Sequence, residues 1–377
     1  MDWVLVALAH EFKFQNGVNA DRSAYGSGIP FANVLEVITH KVLSDAHIPG
    51  RVTLPEAVAA SFVVRPGDVL FNRTSETQHE VGLASVFSGE QRTVFGGFVI
   101  RGSPRAGRLL PGFASHVLRA PSVRAQIVAR GQGVVRANIG QADLSRVVVP
   151  LPGAAEQGAI ADALSDTDAL IESLEQLLVK KRQIKQGAMQ ELLTGQRRLP
   201  GFAEQWRTAR LGDVSRMRSG EAITSEDIDD HSPYPCYGGN GLRGFCDRYT
   251  HDGTFVLIGR QGALCGNVGF VEGQFFASEH AIVVTVSNHV DARWLAFVLV
   301  RMNLNQYSES SAQPGLSAVK LLQLEVRVPV LSEQTAIATT LVDMDAELAA
   351  LEARLAKTRL LKQGMAQALL TGRIRLV

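Results

Sequence analysis

Cysteine is scarce: 377 residues contain only Cys236, Cys246 and Cys265, and none stands in a Cys-x-x-Cys pair. This argues against a disulfide framework and a structural zinc site, and leaves small, reduced core residues as the expectation. Long apolar runs are missing as well. The opening MDWVLVALAHEFKFQ carries Asp2 and no basic segment, and no later run approaches the ~20 residues of a membrane span, so a cytoplasmic protein is expected. There is no Gly-x-x-x-x-Gly-Lys-Ser/Thr loop for nucleotide hydrolysis. The nearest string to a methyltransferase's Asn/Asp-Pro-Pro-aromatic signature, Ser232-Pro233-Tyr234-Pro235, lacks the amide. Nine histidines are scattered without a His-Glu-x-x-His or paired-carboxylate arrangement. No catalytic, cofactor-binding or metal-binding residue is assigned.

A surplus of charge is also lacking. The formal net charge is only +1, which on its face disfavours a nucleic-acid binder. Taken piecewise, residues 1–150 hold 15 Lys and Arg against 11 Asp and Glu, and residues 200–330 hold 11 against 14. A second block of net charge −3 cannot rely on bulk attraction to phosphate, so partners would have to supply much of that affinity. Of the 38 basic residues 30 are Arg, the side chain suited to forked contacts with guanine or phosphate.

What the chain does have is an internal repeat. Residues 156–199 and 333–376 align without a gap at an offset of 177, with 24 of 44 positions identical. Both copies carry apolar residues at alternating steps of four and three: Ile160, Leu164, Thr167, Ile171, Leu174 and Leu178, then Ile337, Leu341, Met344, Leu348, Leu351 and Leu355. That is a coiled-coil seam with Thr167 its weak position, and it predicts two long helices that bury against each other. Pro150 and Pro329 precede them, and Thr194-Gly195 and Thr371-Gly372 supply stop signals. A helix over 156–193 would be about 57 Å long. The other arrangement has each helix packed on its neighbouring globule.

The segments between the helices echo one another more faintly. Trp3, Leu8 and Gly17 match Trp206, Leu211 and Gly220 at an offset of 203, and Val69–Arg73 matches Val256–Arg260 at 187. Val81-Gly82 matches Val268-Gly269 at that same offset, and Phe98-Val99-Ile100 and Ile282-Val283-Val284 read as equivalent later strands. Short β-rich runs (254–258, 267–271, 281–286) between Gly turns, with helical stretches near 113–130 and 292–304, predict two mixed α/β globules. The expected fold class is therefore α/β (α+β): two mixed domains separated by two long helices that form a coiled coil, with an internal pseudo-twofold repeat. The expected boundaries are 1–149 and 200–328 for the globules and 150–199 and 329–377 for the helices.

The informative strings are polar loops between strands. In the second globule, Tyr237, Gly239, Asn240 and Arg243 lie in YGGNGLRG, and Arg260, Gln261 and Gly262 lie in GRQG. Asn and Gln pair with the adenine edge and Arg with guanine, and glycine lets a backbone come close. In the first globule Arg73, Thr74, Ser75, Glu76 and Gln78 occupy the matching position after a strand. Solvated turns would have the same composition.

Together with ASEH at 277–280, the GRQGALCGNVG run and the helix ends KQGAMQELLTG and KQGMAQALLTG, this arrangement resembles specificity subunits of Type I restriction-modification systems. The resemblance implies two target-recognition domains reading an asymmetric, bipartite DNA sequence, carried on two spacer helices that run antiparallel to one another. It implies double-stranded DNA as ligand, with two modification subunits that bind S-adenosylmethionine and methylate adenine. Restriction subunits would use ATP and Mg. This chain would hold no cofactor and catalyse nothing. The loops above carry over as DNA-contact positions, with Ser278 and His280 added by the resemblance. A pure assembly scaffold, and a methyltransferase or nuclease without recognisable motifs, are the alternatives.

Overall fold

The computed structural model describes residues 3–105, 107–133, 136–262, 264–308 and 315–376; Asp2 and Ala263, quoted in the motifs above, lie outside them. The fold is mixed α/β and divides into two compact units, 1–174 with 354–377 and 175–353. The long helices run Ala154–Leu192 and Leu331–Leu369, so each unit contains one part of each.

The two units share a nucleus. In the first, a five-stranded sheet is ordered Phe12–Asn16, Val99–Pro104, Val69–Asn72, Ala84–Phe87, Val42–Leu43. In the second, a six-stranded sheet begins Ser215–Ser219, Ala281–Val286, His251–Gly259, Val268–Ala277. These four strands correspond in order and antiparallel sense. A short antiparallel pair also recurs, Val4–Ala7 with Val148–Leu151 and Arg207–Arg210 with Glu325–Val328. Beyond the fourth strand the units part: the second adds a hairpin, Tyr234–Gly238 and Gly241–Cys246, and the first a separate four-stranded sheet from residues 25–95.

Backbone hydrogen bonds fix the correspondence and correct two alignments made from sequence. Gly82 N–H donates to Asn72 O and Gly266 N–H to Gly259 O, and both glycines have positive φ (63° and 88°), so Gly82 matches Gly266 rather than Gly269. Arg73 N–H donates to Phe98 O (2.8 Å) and Arg260 N–H to His280 O (2.9 Å), which sets Phe98 opposite His280 rather than Ile282. The strands themselves are equivalent. Three consecutive apolar residues do not reveal which of them begins the strand.

The helices start and stop as their flanking residues dictate. After each, a Gly at φ 72° (Gly195, Gly372) reverses the chain, and the next-but-one N–H (Arg197, Ile374) reaches back to the carbonyl six residues earlier. The seam is longer than its apolar part. Along 160, 164, 167, 171, 174, 178, 181, 185, 188, 192 and along 337, 341, 344, 348, 351, 355, 358, 362, 365, 369, every residue is buried or half-buried. The outer positions pack into globule cores: Ile160 and Leu164 cluster with Phe113, Val117 and Leu369, and Ile337 and Leu341 with Trp294, Leu295 and Leu192. Leu174, Leu178 and Leu355 are buried, and Ile171, Met344, Leu348 and Leu351 half-buried. Polar positions are covered by charge pairing. Lys181–Glu347 (2.6 Å), Arg182–Glu352 and Lys185–Asp345 tie the second unit's helices antiparallel, and Lys362 and Lys41 both bind Asp168 in the first. Burial opposes the charge of Asp168, but the two lysines hold its carboxyl below the usual range.

At the start of each helix a buried glutamate is clamped by equivalent partners. Glu156 accepts from Trp3 Nε1 (3.0 Å) and Arg375 Nη2 (2.7 Å), and Glu333 from Trp206 Nε1 (3.0 Å) and Arg198 Nη2 (2.7 Å). The next residues, Gln157 and Gln334, each bridge a globule amide (Leu110, Asp291) and two carbonyls. In each unit a globule, the start of one helix and the tail of the other meet at one buried carboxylate.

Candidate nucleic-acid interface

The same end of the shared sheet carries the polar loops in both units, for a backbone reason. A Cβ on Gly17 would fall 2.1 Å from Gly96 O, and one on Gly220 2.1 Å from Ala277 O, so only glycine lets the first strand lie this close to the loop before its neighbour. Parallel bridges Val18–Gly96 and Glu221–Ser278 follow. Arg73 and Arg260 then leave the third strand of this order with their N–H groups on Phe98 O and His280 O, and their carbonyls accept Ile139 N–H (3.0 Å) and Leu316 N–H (2.9 Å). Two unlike domains thus hold an arginine in one backbone frame.

In the second unit three loops anticipated from sequence converge. Gly239 and Asn240 form the hairpin turn, with Gly241 at φ 85°. A Cβ on Gly239 would sit about 3 Å from the carbonyls of Gln261 and His280, which brings hairpin, Arg260 loop and His280 turn together. Asn240, Arg243, Gln261, Gly262 and His280 are exposed. Arg260 donates to Ser219 Oγ (3.2 Å), and Gln261 Oε1 lies 3.2 Å from His280 Nδ1. Two candidates face inward. Tyr237 packs edge-on against Phe275, and Ser278 is fully buried with its N–H on Tyr237 O. Ser278 shapes the loop from beneath, while Tyr237 is half-buried and keeps part of its ring at the surface.

In the first unit Arg73 is half-buried, its Nη1 on Gly97 O (3.3 Å). Thr74 bonds Asn138 Oδ1 (2.6 Å). Glu76 pairs with Arg136 at 3.5 Å, and Gln78 is exposed. Ser75 turns inward, giving its hydroxyl to Glu80 (2.7 Å) and accepting Thr77 N–H. Sequence reasoning missed Asn19, whose amide lies over Gly97, along with Phe98, Arg136 and Asn138. In the second unit it missed Ser219, Glu221 and Glu279. The Gly17–Gly220 match was the available signal for Asn19 and Glu221, which follow those glycines.

Part of the first unit's positive charge is structural: Arg119 donates to the carbonyls of Val37, His40 and Ala84, and burial pushes its guanidinium down to about 10. Burial also lifts the Cys236 thiol, to about 11, and raises Cys265, so both stay protonated. Among the described residues no three His, Cys, Asp or Glu side chains gather to hold a metal ion, and no helix is long and apolar enough to cross a membrane.

Comparisons with known proteins agree with this architecture. Residues 203–358 match the family model of the Type I restriction modification DNA specificity domain. The chain is 47% identical over 139 residues to the Type I restriction enzyme EcoprrI specificity subunit of Escherichia coli, covering 36% of this chain and 35% of that protein. It is 32% identical over 106 residues to a putative type I restriction enzyme specificity subunit of Haemophilus influenzae, covering 27% and 28%. The matches thus span about a third of these relatives' lengths. Its fold follows the crystal structure of a Type I restriction-modification S subunit from M. genitalium (TM-score 0.62, 18% identity, 98% and 96% of the two chains). It also follows the HsdS subunit from Thermoanaerobacter tengcongensis (TM-score 0.52, 17% identity, 99% and 97%). The chain thus carries a match to the Type I restriction modification DNA specificity domain over residues 203–358, and shares the fold of these S subunits over nearly its whole length.

Proposed function

We propose that this chain is the DNA-reading component of a Type I restriction-modification complex: each domain reads one half of an asymmetric, bipartite target in double-stranded DNA, and the chain itself does no chemistry. The functional division follows residues 1–149 and 200–328 as recognition domains and 150–199 and 329–377 as spacer helices. The helices would take up modification subunits, which bind S-adenosylmethionine, and restriction subunits, which use ATP and Mg. The observation that carries the reading is the pair of arginines, Arg73 and Arg260, held by the same backbone hydrogen bonds in two otherwise unlike loop clusters. A conserved frame with different side chains around it is what two readers of different half-sites require.

The test is to co-express the chain with a modification subunit of its own system and map methylated adenines in host DNA. A two-part motif with an unread spacer is expected. Replacing residues 206–327 by the corresponding domain of a relative should change one half of that motif only. Stoichiometric S-adenosylmethionine binding by the purified chain, or methylation without a split motif, overturns the reading.

A further inference from the structure

Phe98 is out of place by the ordinary rules of burial. It is 55% exposed, while Phe95, Gly96, Gly97 and Val99 around it are all buried. A lone exposed aromatic has no meaning by itself. This one stands at a defined point of the candidate interface: its carbonyl receives Arg73 N–H, the adjoining Gly97 carbonyl receives the Arg73 guanidinium, and the Asn19 amide lies against Gly97. In the second unit the same backbone position belongs to His280, which is also exposed and faces Gln261. The frame is shared and the side chain differs.

Resting on the function proposed above, we propose that Phe98 is a specificity-determining residue of the first domain that packs against the C5-methyl group of a thymine in the major groove. An arginine, an asparagine and a phenylalanine side by side match guanine, adenine and thymine edges respectively, and an apolar side chain is how a protein distinguishes the thymine methyl. His280, with two ring nitrogens, suits a polar base edge at the equivalent point of the other half-site. Because the Phe98 ring is mostly in water, contact with a methyl removes apolar surface from solvent at no cost to the domain core.

The experiment uses the complex with its modification subunit and its mapped motif. Each thymine of the motif, on either strand, is replaced singly by deoxyuridine, which lacks only the C5-methyl, and binding is measured. The native complex should weaken about three- to fivefold at one position in one half-site, the effect of returning one methyl group to water. Phe98→Ala should bind the thymine and deoxyuridine duplexes equally, with an unchanged thermal midpoint, and Phe98→Leu should keep part of the discrimination. A native complex indifferent to deoxyuridine at every position, or a Phe98→Ala complex that keeps the native sensitivity, overturns the assignment to Phe98 while leaving the split-motif reading intact. Absence of any split motif overturns both.

Discussion

Arg375→Ala should cost far more than a surface ion pair would. Glu156 is only 5% exposed in its side chain; its side-chain donors are the Trp3 indole and the forked Arg375 guanidinium, which also lies 5.7 Å over the Trp3 ring, and the Leu376 backbone N–H donates as well. Removing the arginine leaves a buried carboxylate with one side-chain donor, a loss of about 3 kcal/mol. Glu156→Ala should cost less, about 2 kcal/mol. Arg375 is 39% exposed and can rehydrate, so the main loss is the unpaired indole N–H. Once the carboxylate is gone, the second substitution adds little, so the double variant should fall short of the sum by roughly 3 kcal/mol. Hydrogen exchange with mass spectrometry on the full chain reads this locally. Peptides from Val4–Ala7, Val148–Leu151 and the chain end should lose protection, while those from Ser215–Ser219 and Ala281–Val286 should not. Arg198→Ala should give the converse through Glu333. A cost below about 1 kcal/mol for Arg375→Ala, the level of an exposed pair, or equal loss in both units, would refute the reasoning.

Other consequences are as direct. Burial, helped by the Lys41 and Lys362 charges, holds His116 down at about 4 from an ordinary 6.5, so the unfolded chain takes up its proton first as pH falls. Its stabilising effect is whole above pH 6.5 and lost towards pH 4; between pH 7 and 5 the first unit should lose about 2 kcal/mol, a slope that His116→Gln removes in urea titrations. Arg260→Ala should relax discrimination at one base pair of one half-site by about 1–3 kcal/mol, and Arg73→Ala at one of the other, in binding to single-substituted duplexes; uniform weakening would instead assign them to phosphate. Gly220→Ala forces a Cβ onto the Ala277 carbonyl and should destabilise the second unit by about 3 kcal/mol or more. Gly269→Ala, which meets no atom within 4 Å, should be neutral in thermal melts.

The helices were legible because a 177-residue repeat and a 4-3 pattern leave little choice. What they pack against was less so. Periodicity says that Ile160 and Leu164 are buried, but not that Phe113 and Leu369 cover them. The seam's continuation through Lys181, Lys185, Thr358 and Lys362 escaped a hydrophobic count because its polar groups are covered by pairing, Lys185 by Asp345 and Lys362 by Asp168. The extra sheet of the first domain gave no signal, since three of its four strands are only two or three residues long and show no period. At the interface, exposed loop residues such as Asn240 and Gln261 were readable from composition. The inward turn of Ser75 and Ser278 was not, because it depends on Glu80 and on Tyr237, which the backbone path brings near.

The two kinds of repeat in this chain follow from two kinds of contact. Residues that recur unchanged at the 177 offset are those whose side chains make the contact: Glu156 and Glu333, Gln157 and Gln334, Arg198 and Arg375, Asp168 and Asp345, Lys185 and Lys362. Changing one partner of such a pair strands a buried polar group, so both members are held fixed together. At the loop ends the contacts that recur are main-chain ones, from Arg73 to Phe98 and Ile139 and from Arg260 to His280 and Leu316. A main-chain hydrogen bond does not depend on the side chain it places. Phe98 can stand where His280 stands, Gly97 where Glu279 stands and Thr74 where Gln261 stands, without loss of the frame. Substitution there alters what is presented at the surface while the fold beneath it stays the same, which is the physical condition for a domain to change its target without refolding.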